Sequence, residues 1–166
     1  MQRILLIGSP GSGKSTLSKQ LQQKLNLPLY HLDKLYWLEN WQMTSEASFD
    51  RQLHDILQQP AWIIDGNYAR TLPDRLAKSD TVIYLNYSRW TSLYGVLKRL
   101  VLNWNQGRSD MGGNNKERFD WEFIRYVWAF NRTQRQIIYD CLATQPEVTL
   151  FVFRSRRQLK DFLKKL

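Results

Sequence analysis

The stretch Gly8-Ser9-Pro10-Gly11-Ser12-Gly13-Lys14-Ser15 constrains this chain more than any other. It fills every fixed position of the pattern G-x-x-x-x-G-K-[ST], with Thr16 following, and its flanks are of the right kind. Before it, Arg3-Ile-Leu-Leu-Ile7 is a short apolar run that reads as a buried strand. After it, Leu17, Leu21 and Leu25 recur at i, i+4 and i+8 with polar residues between them, which predicts an amphipathic helix over 14–25. Glycines let the backbone curl until successive N–H groups converge on phosphate oxygens, and the following helix adds the positive end of its dipole. On this reading Gly8 to Thr16 cradle the phosphates of a nucleotide. Lys14 reaches the β- and γ-phosphates, and the Ser15 hydroxyl is a ligand for Mg²⁺.

The rest of the chain repeats the strand-then-helix theme. Pro28 to Leu32 reads as a strand ending at Asp33. A helix over 45–57 carries Phe49, Leu53, Ile56 and Leu57 on one face, with Ser45 as its N-cap. Trp62-Ile-Ile64 and Thr81 to Leu85 are further apolar strands, the first ended by Asp65-Gly66. Helical spacing returns from Trp90 to about Trp104. Gln106 to Lys116, with three glycines and two adjacent asparagines, reads as a mobile loop. A long aromatic-rich helix follows over 120–142, then a strand over 148–153 and a closing helix over 157–166. Strands that are apolar throughout, alternating with helices, indicate one α/β domain with a parallel sheet covered on both faces.

The 166 residues suffice for a single core without disulfide or metal staples, and 43% hydrophobic composition excludes a disordered class. A lone cysteine, Cys141, cannot form an intramolecular disulfide, which points to the reducing cytoplasm. The net charge is +9, and it is uneven. Residues 1–86 carry 9 Lys/Arg against 8 Asp/Glu, whereas residues 87–166 carry 15 against 7. A basic half of this kind needs an anionic partner: nucleic acid, a membrane surface or a phosphorylated small molecule.

Several stretches beyond the phosphate loop carry a resemblance: His31-Leu-Asp-Lys-Leu-Tyr-Trp37, Trp62-Ile-Ile-Asp-Gly-Asn-Tyr68, Glu117-Arg-Phe-Asp120 and Phe153-Arg-Ser-Arg-Arg157. With them the chain resembles the P-loop kinases of the nucleoside monophosphate kinase (adenylate kinase-like) group, and within it is similar to the family of DNA topology modulation proteins. The resemblance implies a three-layer P-loop fold over 1–166, a five-stranded parallel sheet in the order 2-3-1-4-5, and a helical lid at about 99–118. It also implies ATP, Mg²⁺ and phosphoryl transfer to a nucleotide, nucleoside or other small acceptor. Arg70 stands near where the group's Asp-Gly-Phe-Pro-Arg arginine holds an acceptor phosphate, although here the spacing is one residue longer and Phe-Pro is absent.

Individual positions keep two readings each. Asp65 ends an apolar strand, as a Mg²⁺-holding acid does, or is half of an Asp-Gly turn. Asp33 and Tyr36 resemble the Asp-x-x-Tyr of nucleoside kinases, where the carboxylate lies near an acceptor hydroxyl; Asp33 also stands where a helix N-cap would. Arg154 sits where the group packs the donor adenine, or is a solvated strand-end arginine. Arg99, Arg108, Arg118 and Arg125 are the lid arginines from which phosphate-contacting charge would come, and each is otherwise a solvated cation. His31 reads as a strand residue and the aromatic helix around Trp121 and Trp128 as packing. The alternative function is a nucleic-acid-associated ATP-binding protein that uses its basic half. It has no zinc-finger spacing, basic zipper or RNP-type strand behind it.

Overall fold

Five apolar runs become five parallel strands in the computed structural model, which describes residues 1–104, 112, 113, 115 and 119–166. They are β1 (Arg3–Gly8), β2 (Leu29–His31), β3 (Trp62–Asp65), β4 (Thr81–Leu85) and β5 (Thr149–Phe153). Their order is β2-β3-β1-β4-β5, as the resemblance implied. β1 is central: Leu5 pairs with Ile64 on one side and Val82 on the other. Parallel neighbours cannot be joined by hairpins, so helices carry the crossovers. These are α1 (Lys14–Leu25), α2 (Leu32–Tyr36), α3 (Glu46–Leu57), α4 (Leu72–Lys78), α5 (Arg89–Leu102), α6 (Trp121–Thr133) and α7 (Arg135–Ala143), and α8 (Arg156–Lys165) follows β5.

Alternate residues of β1 feed two cores. Leu5 and Ile7 pack with Phe49 of α3, Leu76 of α4, Phe130 of α6 and Ile138 of α7. Ile4 and Leu6 pack with Leu17 and Leu21 of α1 and, across β5, with Phe162 of α8. Ile4 through Ile7 are fully buried, which is why the run has no polar alternation. Each such side chain contributes about 1.5–3 kcal/mol through burial. Among the described residues, no helix is long and apolar enough to cross a membrane.

Three segments differ from what the sequence led us to expect. The strand expected over 28–32 gives way to α2 at Leu32, and the N-cap position of that helix is His31. Asp33 is therefore inside the first helical turn and not at its N-cap, and the capping alternative for it falls. Helix α4, absent from the sequence reading, begins with Pro73 in its first turn, where a missing N–H costs nothing. The long helix of 120–142 is two helices, α6 and α7, broken at Gln134. The Thr133 hydroxyl donates to Ala129 O, a back-bond that bends helices, and Asn131 and Thr133 are weak helix formers. The loop expected over 106–116 lies mostly outside the described residues, and of its described members Gly112 N donates to Asp33 O (3.4 Å). Asn115 is buried, accepts from Trp41 N (2.7 Å) and donates to Leu38 O and Gly112 O (both 2.7 Å).

Candidate active site

All five strands end at one edge of the sheet, and the chain leaving each of them contributes to one cavity of about 1560 Å³.

The phosphate loop leaves β1. Pro10 through Thr16 line the cavity, while Gly8 and Ser9 sit behind it and hold Lys14. Lys14 Nζ donates to Gly8 O (2.7 Å) and Ser9 O (3.1 Å), which fixes the ammonium against the loop's own backbone. Ser12 Oγ is buried with no hydrogen-bond partner among the described residues. A buried hydroxyl left without a partner in a glycine-rich phosphate-loop sequence fits an anionic oxygen ligand. Gly11, at φ 76°, lies against α5 so closely that a Cβ on it would meet Ser92 O at 2.2 Å. The reciprocal contact is Gly95, where a Cβ would meet Gly11 O at 2.0 Å. Two glycines thus let helix α5 rest directly on the loop. Sequence reasoning missed Gly95, although a glycine inside a helical pattern usually has a packing reason.

The segment after β3 joins the loop to the opposite wall. Asp65 is buried, lines the cavity and accepts from His31 Nδ1 of β2 (3.0 Å). Asn67 Oδ1 accepts from Gly8 N (3.2 Å). Tyr68, at φ 27°, donates its hydroxyl to Asp33 Oδ1 (2.8 Å). A tyrosine in that region is strained and persists only where its surroundings enforce it. Here the enforcer is Arg75 of α4, fully buried, whose guanidinium donates to the carbonyls of Gly66 (2.8 Å), Asn67 (2.5 Å), Tyr68 (2.7 Å) and Thr71 (3.2 Å). Burial lowers the Arg75 guanidinium from its ordinary value to about 9, so it stays cationic at neutral pH. Burial first, and the Asp33 charge second, push the Tyr68 phenol well up, so it remains a proton donor. The same two causes raise the phenol of Tyr126 of α6, which lines the same cavity. Asn67, Tyr68 and Arg75 were not identified as site residues from sequence; the Asp-Gly-Asn-Tyr run marked the place without revealing the clamp.

Other expected residues lie elsewhere. Arg70 is half-exposed and makes a two-pronged pair with Asp50 of α3 (2.6 and 2.9 Å), outside the cavity lining. With the longer spacing after Asp65-Gly66 it lies in the 3₁₀ turn Ala69–Thr71, beside α3. The Arg70 hydrogen bond lowers the Asp50 carboxyl, and the reciprocal bond raises Arg70. Arg154 is exposed and also outside the lining; its neighbour Arg156 lines the cavity instead, over the Tyr94 ring (6.0 Å), with Lys160. Arg99 lines the cavity and lies over Phe123 (5.9 Å), whereas Arg125 lies over Trp121 (5.8 Å) away from it. Arg108 and Arg118 fall outside the described residues. Part of the basic half, Lys98, Arg99, Arg156 and Lys160, is therefore turned into this cavity.

For a divalent cation, Ser15 and Asp65 are hard oxygen donors on the same cavity, a set suited to Mg²⁺. No group of three His, Cys, Asp or Glu side chains that could hold a metal exists among the described residues. The remaining ligands have to come from phosphate oxygens and water, as is usual for Mg²⁺.

No protein-family model and no curated protein matches the chain. Solved structures share its fold. Shikimate kinase from Bacteroides thetaiotaomicron superposes with a TM-score of 0.52 at 18% identity, covering 99% of this chain and 95% of its own. Deoxyadenosine kinase from M. mycoides with bound dATP gives 0.52 and 18%, covering 99% and 98%. The narrower resemblance to DNA topology modulation proteins gains no support from these comparisons. The fold is that of the P-loop kinases: a five-stranded parallel sheet of order 2-3-1-4-5 flanked by helices.

Proposed function

We propose that the protein is an ATP-dependent phosphotransferase that moves the γ-phosphoryl group onto a small hydroxyl-bearing acceptor. The carrying observation is that the phosphate loop and the Asp33–Tyr68 pair line one cavity. Both solved neighbours are named as small-molecule kinases, which supports the same reading.

Phosphoryl transfer asks little covalent chemistry of a protein; it asks for positioning and compensated charge. The backbone N–H groups of the loop hold the ATP phosphates at the α1 N-terminus, and Lys14 sets its ammonium against the β- and γ-phosphates. Arg99 and Arg156 add positive charge from the cavity wall. Ser15 and Asp65 are the groups that would hold Mg²⁺, which when bound neutralises phosphate charge. On the acceptor side, Asp33 Oδ receives the hydroxyl proton as the new O–P bond forms and the β–γ bridge breaks, releasing ADP. Tyr68 holds the carboxylate in place for that step. The segment of about 99–118, which the resemblance marks as a lid, lies mostly outside the described residues.

The test is transfer of γ-³²P from Mg·ATP to a panel of nucleosides, nucleoside monophosphates and small alcohols. Label is expected on a free hydroxyl compound. Label confined to the phosphate of a monophosphate would overturn the role given to Asp33, and label on nothing would overturn the kinase reading.

A further inference from the structure

His31 was read from sequence as a strand residue without a task, and the structure gives it one. His31 closes β2, Asp65 closes β3, and the parallel register pairs the two residues directly. Both side chains are buried, at 7% and 6% exposure, with Nδ1 and Oδ2 3.0 Å apart. An ionised carboxylate only accepts, so the proton of this bond sits on Nδ1. We propose that His31 is a positioning residue for Asp65: by fixing one carboxylate oxygen, it aims the carboxylate at the divalent cation that accompanies the nucleotide. This inference rests on the nucleotide-binding reading above.

Three observations carry it. Buried polar pairs seldom repay their desolvation, so stability alone is a weak reason for placing one at a strand end that opens on the cavity. Among the described residues no cluster of three metal-ligating side chains exists, so the protein's share of the coordination falls on Asp65 and the Ser15 hydroxyl. When one carboxylate bears that share, its orientation matters in proportion. An aspartate turns about two single bonds, and a rigid ring donor anchored in the adjacent strand stops it. Removing such a supporting hydrogen bond typically costs about 10–100-fold in metal affinity.

The experiment measures Mn²⁺ binding by electron paramagnetic resonance to the full chain saturated with a non-hydrolysable ATP analogue. His31→Leu removes the donor. His31→Asn returns an amide N–H near the place of Nδ1. Analogue affinity is measured in parallel with the metal chelated, which reports on the phosphate loop and the fold without the cation. We expect His31→Leu to weaken Mn²⁺ about 10–100-fold while metal-free analogue affinity stays within about 3-fold, and His31→Asn to restore most of the loss. Unchanged Mn²⁺ affinity in His31→Leu would overturn the inference. So would an equal fall in metal-free and metal-dependent binding, which marks a merely structural histidine, or a failure of His31→Asn to rescue. If the wild-type chain binds no analogue with or without metal, it is the nucleotide reading that fails, a result this inference cannot by itself produce.

Discussion

Lys14 is held by the carbonyls of Gly8 and Ser9, the first two residues of its own loop, so its ammonium needs no large rearrangement to meet a phosphate. Lys14→Ala should lower phosphoryl transfer by about 100-fold or more, the usual cost of losing one preorganised charge donor. Thermal unfolding should move by no more than a few degrees; turnover equal to wild type would remove the loop from the reaction. At Asp33 the sequence allowed either a helix cap or an acceptor-side carboxylate, and local spacing had no means of choosing. The cap is excluded by α2 starting at Leu32, and the acceptor-side reading gains support from Tyr68, 35 positions on, whose hydroxyl meets Asp33 only after β2 and β3 pair. Asp33→Asn should cut kcat by about 100-fold or more, within the range for a lost general base, and leave ATP affinity within a few-fold. Tyr68→Phe should give a smaller loss of the same kind. A fall in ATP affinity that matches the fall in kcat would contradict both assignments.

Among elements, α5 and the segment after β3 decide how the site is assembled. Gly95 sits in mid-helix, where glycine is about 1 kcal/mol worse than alanine, because any Cβ there would strike Gly11 O. Gly95→Ala should therefore destabilise the fold by about 1–3 kcal/mol despite the better helix former, and should weaken ATP binding by lifting the loop. Urea unfolding and nucleotide titration of the same variant check both; a gain in stability would show that α5 does not rest on the loop. Arg75 is the other case. Its four carbonyl partners lie within a stretch of six residues, yet nothing in Leu-Pro-Asp-Arg-Leu betrays that this arginine is buried. By contrast, α1, α3 and β4 were legible nearly to the residue, because leucine periodicity, a Ser45 cap accepting from Ser48 N and a five-residue apolar run are all local signals. The break between α6 and α7 and the short helix α2 were not, since both arise from hydrogen bonds and packing that periodicity does not encode. Arg70, one residue further from Asp65-Gly66 than the group's arginine, pairs with Asp50, a contact that spacing alone did not show.

For the whole molecule, a parallel sheet covered on both faces follows from strands with no polar face, whereas the strand order came only from the family resemblance. What ties the sheet's lower edge together was not readable from the sequence. Asp80 accepts from Gln2 N and Arg3 N (both 2.9 Å) and from the Thr81 hydroxyl (2.7 Å), fastening the start of β1 to β4. Partial burial opposes ionisation, but the hydrogen bonds from Thr81, Arg3 and Gln2 outweigh it and hold the carboxyl below its ordinary value. A carboxyl lowered by folding stabilises above its unfolded pKa of about 3.9, and that contribution is lost as pH falls through the folded value. Asp80→Asn should therefore cost about 1 kcal/mol at pH 7, and the difference from wild type should close as urea unfolding is repeated from pH 5 down to pH 2.5. A difference that persists unchanged at pH 2.5 would contradict the sign.

The proposal that the molecule transfers phosphoryl groups from ATP to a small acceptor rests on one cavity, with the phosphate loop, Asp65, Asp33, Lys98, Arg99, Arg156 and Lys160 on its walls. The most direct measurement is ADP formation from Mg·ATP with and without each compound of an acceptor panel, wild type beside Lys14→Ala. The account predicts ADP release that rises with one class of hydroxyl acceptor, saturates, and is lost in Lys14→Ala. ADP release independent of every acceptor, or identical in the two proteins, would contradict it.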